Sequence, residues 1–238
     1  MKPYNAEQTK KTQVRAMFDN IAPTYDRLNH ILSMNIDRLW RRRVVRIVRG
    51  FGAKRILDVA TGTGDLAIAL ARGVRDSRIL AVDISEQMLG IAQSKISARG
   101  LDERITLALG DAEHLELADS TADAATVAFG VRNFENIDAG LRELHRVLKG
   151  GGRLAVLEFS TPDNRLIRAL YRRYSHRILP RIGQLVSHDR KAYDYLPESV
   201  DEFPAPERFA DMLRAAGFRS VEIRRQSFGI ARIYIAEK

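Results

Sequence analysis

From Arg55 to Phe159 the chain alternates short apolar, β-branched runs with stretches of helical apolar spacing. Few folds accept this pattern, because each run has to be covered on both faces, as in a parallel sheet layered between helices. The spacing predicts strands at Arg55–Ala60, Arg78–Asp83, Ile105–Ala108, Ala122–Ala128 and Arg153–Phe159. Helices are expected between them at Asp65–Arg72, Ser85–Ala98 and Ile137–Leu148. Ser85 is placed to cap the second helix, and Lys149-Gly-Gly-Gly152 to close the third. A last helix, Pro206–Ala215, ends at Gly217, and strands Ser220–Arg225 and Ile230–Ala236 follow. The short Gln226–Gly229 link between them fits a hairpin, so the last strand should run antiparallel. The expected class is α/β, with a Rossmann-like, seven-stranded, mostly parallel sheet. One domain, 1–238, is the default: a helical N-terminal cap (1–52), a core (53–159), a helical insertion (160–202), and a C-terminal helix with hairpin (203–238).

At 238 residues and 45% hydrophobic content the chain can bury such a core. It has no cysteine, which excludes disulfides, thiolate zinc sites and cysteine nucleophiles. His30, His114, His145, His176 and His188 show no metal-binding spacing, so no metal is expected. Met1 is followed by polar residues rather than a secretory signal, and no apolar run nears the about 18 residues a membrane helix needs. The chain is therefore expected in the cytoplasm, at most peripheral to the inner face of a membrane. Its net charge of +9, with arginines clustered in Arg38–Arg49 and Arg165–Arg190, favours an anionic partner: nucleic acid, anionic lipid or an acidic substrate. A basic surface that only keeps the chain soluble is the plainer alternative.

The turn after the first strand reads Leu57-Asp-Val-Ala-Thr-Gly-Thr-Gly-Asp-Leu-Ala-Ile-Ala69. Gly62, Gly64 and Ala67 satisfy a dinucleotide spacing, with Asp83 at the distance of a ribose-binding carboxylate. Spacing alone would allow NAD. A pyrophosphate, however, disfavours acids beside the turn, and here Asp58 precedes it while Asp65 opens the helix. Flanking carboxylates suit a ligand with a cationic amino or sulfonium group and no phosphate, S-adenosylmethionine. Asp83 can accept both ribose hydroxyls, and Gly110-Asp-Ala-Glu113 falls where an adenine amino group is read. Glycines that only turn the chain, with Asp65 as a helix-start acid, are the structural alternative.

Three further stretches carry a resemblance: Tyr25-Asp-Arg-Leu-Asn29 with Ser33 and Trp40, Phe129-Gly-Val-Arg-Asn133, and Arg146 through Ser160. Together they resemble the family that C-methylates quinols in menaquinone and ubiquinone biosynthesis. The likeness extends to Tyr193-Asp-Tyr-Leu-Pro-Glu-Ser199 and the Phe228–Tyr234 ending, and so covers nearly the whole chain. It implies the class I S-adenosylmethionine-dependent methyltransferase fold, cofactor binding by Thr63, Asp83 and the Asp111-Ala112 pair, and a hydroquinone substrate with a long isoprenoid tail. Leu28 stands where the family usually has methionine, and Asp37 where it often has histidine, which removes a histidine base. Ala128 replaces a serine of some ubiquinone-branch relatives, and with the Phe-Gly-Ile-Ala ending this leans toward the menaquinone branch.

Carbon methylation needs an electron-rich ring carbon aligned with the methyl group, in a site that excludes water. The expected cofactor residues are Asp58, Gly62, Thr63, Gly64, Asp83, Asp111 and Ala112. The catalytic candidates are Arg132, which would hold a phenolate or orient a water, Asn133 beside it, and Tyr25 from the N-terminal cap. A solvated Arg132 and a packing Tyr25 are the alternatives. In the insertion, Leu166, Ile167, Leu170, Tyr171 and Tyr174 recur at helical spacing among Arg165, Arg168, Arg172, Arg173, Arg177, Arg181, Arg190 and Lys191. Such a basic amphipathic helix can lie on an anionic membrane, cover the quinol ring, or pack on the core. The oligomeric state stays open, a homo-oligomer included. The rival class is an RNA methyltransferase, prompted by the arginines, but no RNA-binding module is recognisable and Phe129-Gly-Val-Arg stands where a base pocket would be, so no nucleic acid is expected. A binding module that has lost its chemistry is a third reading, opposed by the intact cofactor turn.

Overall fold

The structure, a computed structural model, describes residues 2–4, 7–33, 35–174 and 190–238, with backbone alone at 27, 28, 30–32, 190–194 and 196. Strands β1 (Arg55–Val59), β2 (Arg78–Asp83), β3 (Ile105–Leu109), β4 (Ala122–Ala128), β5 (Leu148–Phe159), β6 (Ser220–Gln226) and β7 (Ala231–Glu237) form one sheet in the order β3-β2-β1-β4-β5-β7-β6. Only β7 runs against the direction of the other six strands, and it enters between β5 and β6. The strand order reverses between β1 and β4, which opens a crevice at their carboxyl ends, the usual ligand position in such sheets.

Each face of the sheet buries its own apolar layer. On one side α2 (Ile36–Arg49) presents Trp40, Val44 and Val48, one residue per turn, to a cluster with Ile56 of β1 and with Leu66 and Leu70 of α3 (Asp65–Gly73). Leu57 and Val59 point the other way, into a cluster with Leu141 and Leu144 of α5 (Ile137–Val147) and Phe209 and Leu213 of α8 (Pro206–Ala215). Between β2 and β3, α4 (Glu86–Ser97) is capped as expected, Ser85 Oγ accepting from the Met88 N–H at 3.1 Å. The insertion holds α6 (Arg165–Arg173) and α7 (Arg190–Glu202). Arg177, Arg181, His176 and His188 lie outside the described residues, as do the side chains of His30, Arg190 and Lys191.

One expectation fails at β5. The Lys149–Gly152 run does not close a helix: α5 stops at Val147 and the chain passes directly into strand. Here the register against β4 shifts between Ala122 and Ala124, Gly151 takes φ +75°, and its N–H bonds the Lys238 carbonyl at 3.0 Å. The glycines serve a bulge, a use of positive φ that looks the same in sequence as a helix stop.

The crevice is roofed by α1 (Lys10–Leu32). Four of its side chains each reach a different loop at the carboxyl edge. Lys10 Nζ donates to the Arg132 and Phe134 carbonyls, Lys11 pairs with Asp111, Asp19 accepts from Ser85 Oγ, and Asp26 accepts from Thr63 Oγ1. Beneath it the loops after β1 and β4 touch. A Cβ on Gly130 would lie 2.5 Å from Ala60 Cβ and 3.1 Å from Val127 Cγ1, neither of which has a flexible end to move. Gly130→Ala is therefore expected to cost about 1–3 kcal/mol in urea unfolding and to weaken cofactor binding, whereas Gly150→Ala, with nothing within 4 Å of its added methyl, should leave both unchanged.

Candidate active site

Asp83 ends β2, almost fully buried, with its carboxylate facing the crevice. Gly62 N–H donates to its Oδ2 at 2.7 Å and Ser85 N–H to its Oδ1 at 2.9 Å, which fixes its orientation while each oxygen keeps acceptor capacity. Burial pushes its carboxyl up, against these backbone hydrogen bonds. Gly62, Gly110, Asp111, Ala112, Ala128 and Gly130 line the same crevice, with Tyr25, Phe18 and Lys11 of α1 above. Burial pulls the Lys11 ammonium down, but Asp111 and Glu113 outweigh this and hold it above its ordinary value.

Asp58 and Thr63 have other duties. Asp58 is 1% exposed, and its oxygens accept from Thr126 Oγ1 at 2.5 Å and Thr61 Oγ1 at 2.6 Å, so it ties the turn to β4. Burial pushes its carboxyl up to about 6 despite both threonines. It borders a small recess with Thr63, Asp65, Arg41 and Tyr25. Thr63 Oγ1 donates to Asp26, while Lys95 of α4 contacts Asp26 at 2.5 Å, Asp65 at 2.6 Å and Thr63 at 3.1 Å. Asp65, the acid that opens the helix beside the turn, is ion-paired by Lys95, with Arg41 at 3.9 Å. The argument from repulsion of a pyrophosphate therefore loses one of its two carboxylates. Gly64 precedes α3 in the left-handed region.

A second cavity, of about 330 Å³, adjoins the crevice through Phe18, Tyr25, Phe129 and Asn133. Its walls are aromatic: Trp40, Phe129, Phe159, Tyr171, Tyr174 and Tyr195. Phe129 stacks on Phe159 at 4.5 Å, with the Arg41 guanidinium over the first ring and that of Arg132 over the second. Ile167 and Leu170 of α6 close one side, the face expected to be apolar. Trp40 Nε1 donates to Ser227 Oγ in the β6–β7 link at 2.9 Å.

Arg132 is not a solvated surface residue. It is 7% exposed, and its Nη1 donates to Glu158 Oε1 at 2.7 Å and to the Phe129 carbonyl, while Nε donates to Ser199 Oγ at 3.3 Å. Asn133 Oδ1 accepts from the Tyr195 hydroxyl at 3.2 Å. Tyr25 borders the crevice, the aromatic cavity and the recess, and packs edge-on to Phe18. Burial pushes its phenol up, against the pull of Arg132 and Arg41, so it stays protonated and can donate. Glu158, Lys95 and Asp26 are the partners that sequence reasoning did not single out. Glu158 and Asp26 sit inside the quoted motifs, but nothing in spacing tells that Glu158 faces Arg132.

A mostly parallel sheet whose carboxyl edge holds a buried ribose-type carboxylate, a glycine turn and an adjoining aromatic cavity is the frame of a methyltransferase that uses S-adenosylmethionine. Asp83 keeps acceptor capacity on both oxygens at the crevice, and Gly130 lets the loops after β1 and β4 come closer than a side chain there would allow. The chain belongs to the ubiE/COQ5 methyltransferase family, whose model matches residues 6–238, and S-adenosylmethionine is its cofactor. The demethylmenaquinone methyltransferase of Bacteroides fragilis is 44% identical over 238 residues, covering 100% of this chain and 97% of its own. The ubiquinone/menaquinone biosynthesis C-methyltransferase UbiE of Syntrophotalea carbinolica is 48% identical over 231 residues, covering 97% of this chain and 96% of its own. Among solved structures, the [4+2]-cyclase SpnF superposes with a TM-score of 0.71 at 22% identity over 97% of both chains, a likeness of fold.

Removing one partner of a buried ion pair leaves the other charged and unsolvated. Arg132→Ala should therefore cost about 3–5 kcal/mol of unfolding free energy by stranding Glu158, and the double variant Arg132→Met with Glu158→Gln should recover most of it. Chemical denaturation of the three proteins checks this.

Proposed function

We propose that this methyltransferase moves the methyl group of S-adenosylmethionine to a ring carbon of demethylmenaquinol, giving menaquinol, the last step of menaquinone synthesis. The observation that carries the reading is the aromatic cavity that meets the cofactor crevice at Tyr25, with a volume of about 330 Å³ that can take a fused ring and eight aromatic residues in its lining. The relatives named demethylmenaquinone methyltransferase support it. Those named UbiE support a second reading, in which a ubiquinone-pathway benzoquinol is also accepted.

When bound, S-adenosylmethionine supplies an electrophilic methyl group on a sulfonium. Asp83 would hold its ribose hydroxyls, Gly62 and Gly64 would let the turn approach its methionine part, Asp111 and Ala112 would border its adenine, and Thr63 and Asp58 would fix the turn that carries them. The quinol has to become electron-rich at the attacking carbon. Its hydroxyl beside Tyr25 would feel the same pull from Arg132 and Arg41 that opposes burial of the Tyr25 phenol, and this pull favours phenolate character. Arg132 supplies the fixed positive charge, Asn133 positions Tyr195, and Tyr25 donates to the quinol oxygen. Phe18 and Tyr25 of α1 and Tyr171 of α6 keep water from the junction.

The tail would leave between α6 and the β6–β7 link. Leu166, Leu170 and Phe228 there are 70%, 61% and 79% exposed, beside Arg165, Arg172 and Arg173. An apolar rim flanked by cations suits an anionic bilayer, where a prenylated quinol resides. Among the described residues no helix is long and apolar enough to cross a membrane, so contact would be peripheral.

Labelled methyl transfer to short-tailed demethylmenaquinol and to the benzoquinol, run side by side under reducing conditions, tests the reading. Transfer to the naphthoquinol is expected, transfer to both would establish the wider reading, and transfer to neither with cofactor binding intact would refute both and reopen RNA. Cofactor affinity should also depend on pH through Asp58. Its carboxyl titrates near 6, so it is ionised at pH 7 and neutral at pH 5. A cationic ligand favours the ionised form, and affinity should fall about tenfold as pH drops through 6. Calorimetry should show that slope in the native protein and a shallower one in Asp58→Asn, where the raised Asp83 carboxyl still titrates; equal slopes would remove Asp58 from the cofactor site.

A further inference from the structure

One acidic side chain of the aromatic cavity, Asp37, has no part in the steps above. Asp37 and Arg41 stand one turn apart on α2, both line the cavity, and their side chains form an ion pair. Ser33 Oγ donates to Asp37 Oδ1 at 2.5 Å. Asp37 is 3% exposed. An acid in the first turn of a helix is favourable anywhere on that turn, so helix electrostatics alone give no reason to bury it in an aromatic wall. Packing gives none either, because α2 seats itself on Trp40, Val44 and Val48.

The other polar groups of this cavity are mainly donors. Burial holds the phenols of Tyr171 and Tyr195 up at about 12 and raises those of Tyr25 and Tyr174, so all four stay protonated at neutral pH. Arg41 and Arg132 only donate. Glu158 is turned to Arg132 and does not line the cavity. Among the described lining residues, Asp37 is therefore the anionic acceptor. A hydroquinol presents two hydroxyl donors across its ring, and its oxidised quinone presents two carbonyl acceptors in the same places. The first kind of oxygen is attracted by a carboxylate, the second repelled.

We propose that Asp37, held by Arg41 and Ser33, accepts a hydrogen bond from the quinol hydroxyl remote from Arg132 and thereby selects the reduced substrate over the quinone. The inference rests on the quinol reading of the site and names how that site tells one redox form from the other. Rejection matters because the quinone has the same shape and tail, so the aromatic walls and apolar exit cannot distinguish the two, and its electron-poor ring cannot attack a methyl group. An ionised acceptor discriminates without added bulk, since the unfavourable contact arises only with the wrong form.

Asp37→Asn tests this, because an amide can donate to a carbonyl while accepting more weakly from a hydroxyl. Two readouts should move in opposite directions. Methyl transfer to short-tailed demethylmenaquinol should fall about 10- to 100-fold in kcat/KM, the worth of a hydrogen bond to a charged group, while the affinity for oxidised demethylmenaquinone, titrated without reductant, should rise about tenfold. Cofactor affinity should not change. Asp37→Glu should restore part of the preference for quinol, and Asp37→Ser serves if the amide variant does not fold. Loss of quinol turnover together with loss of quinone affinity would mean that Asp37 only supports the wall, and no change in either would place it outside the substrate site. Both outcomes overturn the proposal while leaving methyl transfer by the native protein intact; failure of native transfer would instead overturn the quinol reading itself.

Discussion

Glu158 is a carboxylate with no solvent exposure at the carboxyl end of β5, and the aromatic cavity is organised around the arginine that pairs with it. Its oxygens take the Arg132 guanidinium, the Arg132 N–H and the Phe159 N–H, which binds the end of β5 to the short turn after β4. Arg132 passes the constraint on, to the Phe129 carbonyl and to Ser199 on α7. Phe129, held at φ +60°, is thereby set against Phe159, and the aromatic wall follows. A buried ion pair is a poor source of stability compared with apolar packing. What it gives here is a fixed cation at the edge of an apolar cavity, where charge developing on a substrate oxygen is screened least.

The cofactor side is organised by α1. Lys10, Lys11, Asp19 and Asp26 fasten one helix to the loops after β4, β3, β2 and β1, so that Tyr25 and Phe18 lie over the place where the two cavities meet. These contacts are polar and partly exposed, each worth little alone, whereas the apolar layers beneath are buried from water. The same sheet serves a [4+2]-cyclase at 22% identity, so the chemistry cannot be read from the layers. It resides in what lines the cavity, and here that lining sets aromatic faces beside Arg132 and the Asp37–Arg41 pair.

Most of the architecture could be read from the sequence because it depends on periodicity. β2, β4 and the Pro206–Ala215 helix fall on their expected residues, and the antiparallel β7 follows from a link too short for a crossover. The error at Lys149–Gly152 has a local cause, since a glycine run permits positive φ at a bulge as readily as at a helix end. The site was legible where a motif fixes its own geometry, as with Gly62 and Asp83, which come to 2.7 Å of each other. Long-range pairings were not. Lys95 neutralising Asp65, Glu158 burying Arg132, and Asp37 facing the ring cavity each join residues far apart in sequence or depend on which way a helix face turns, and no spacing rule records that.

A structure of the protein with S-adenosylhomocysteine and a stable hydroquinone analogue tests the account most directly. The ribose hydroxyls should lie on Asp83, the sulfur should face the ring across the junction at Tyr25, and the two ring oxygens should point to Arg132 and Asp37. A ring bound outside the aromatic cavity, or one that turns its oxygens away from both acid–arginine pairs, would contradict it.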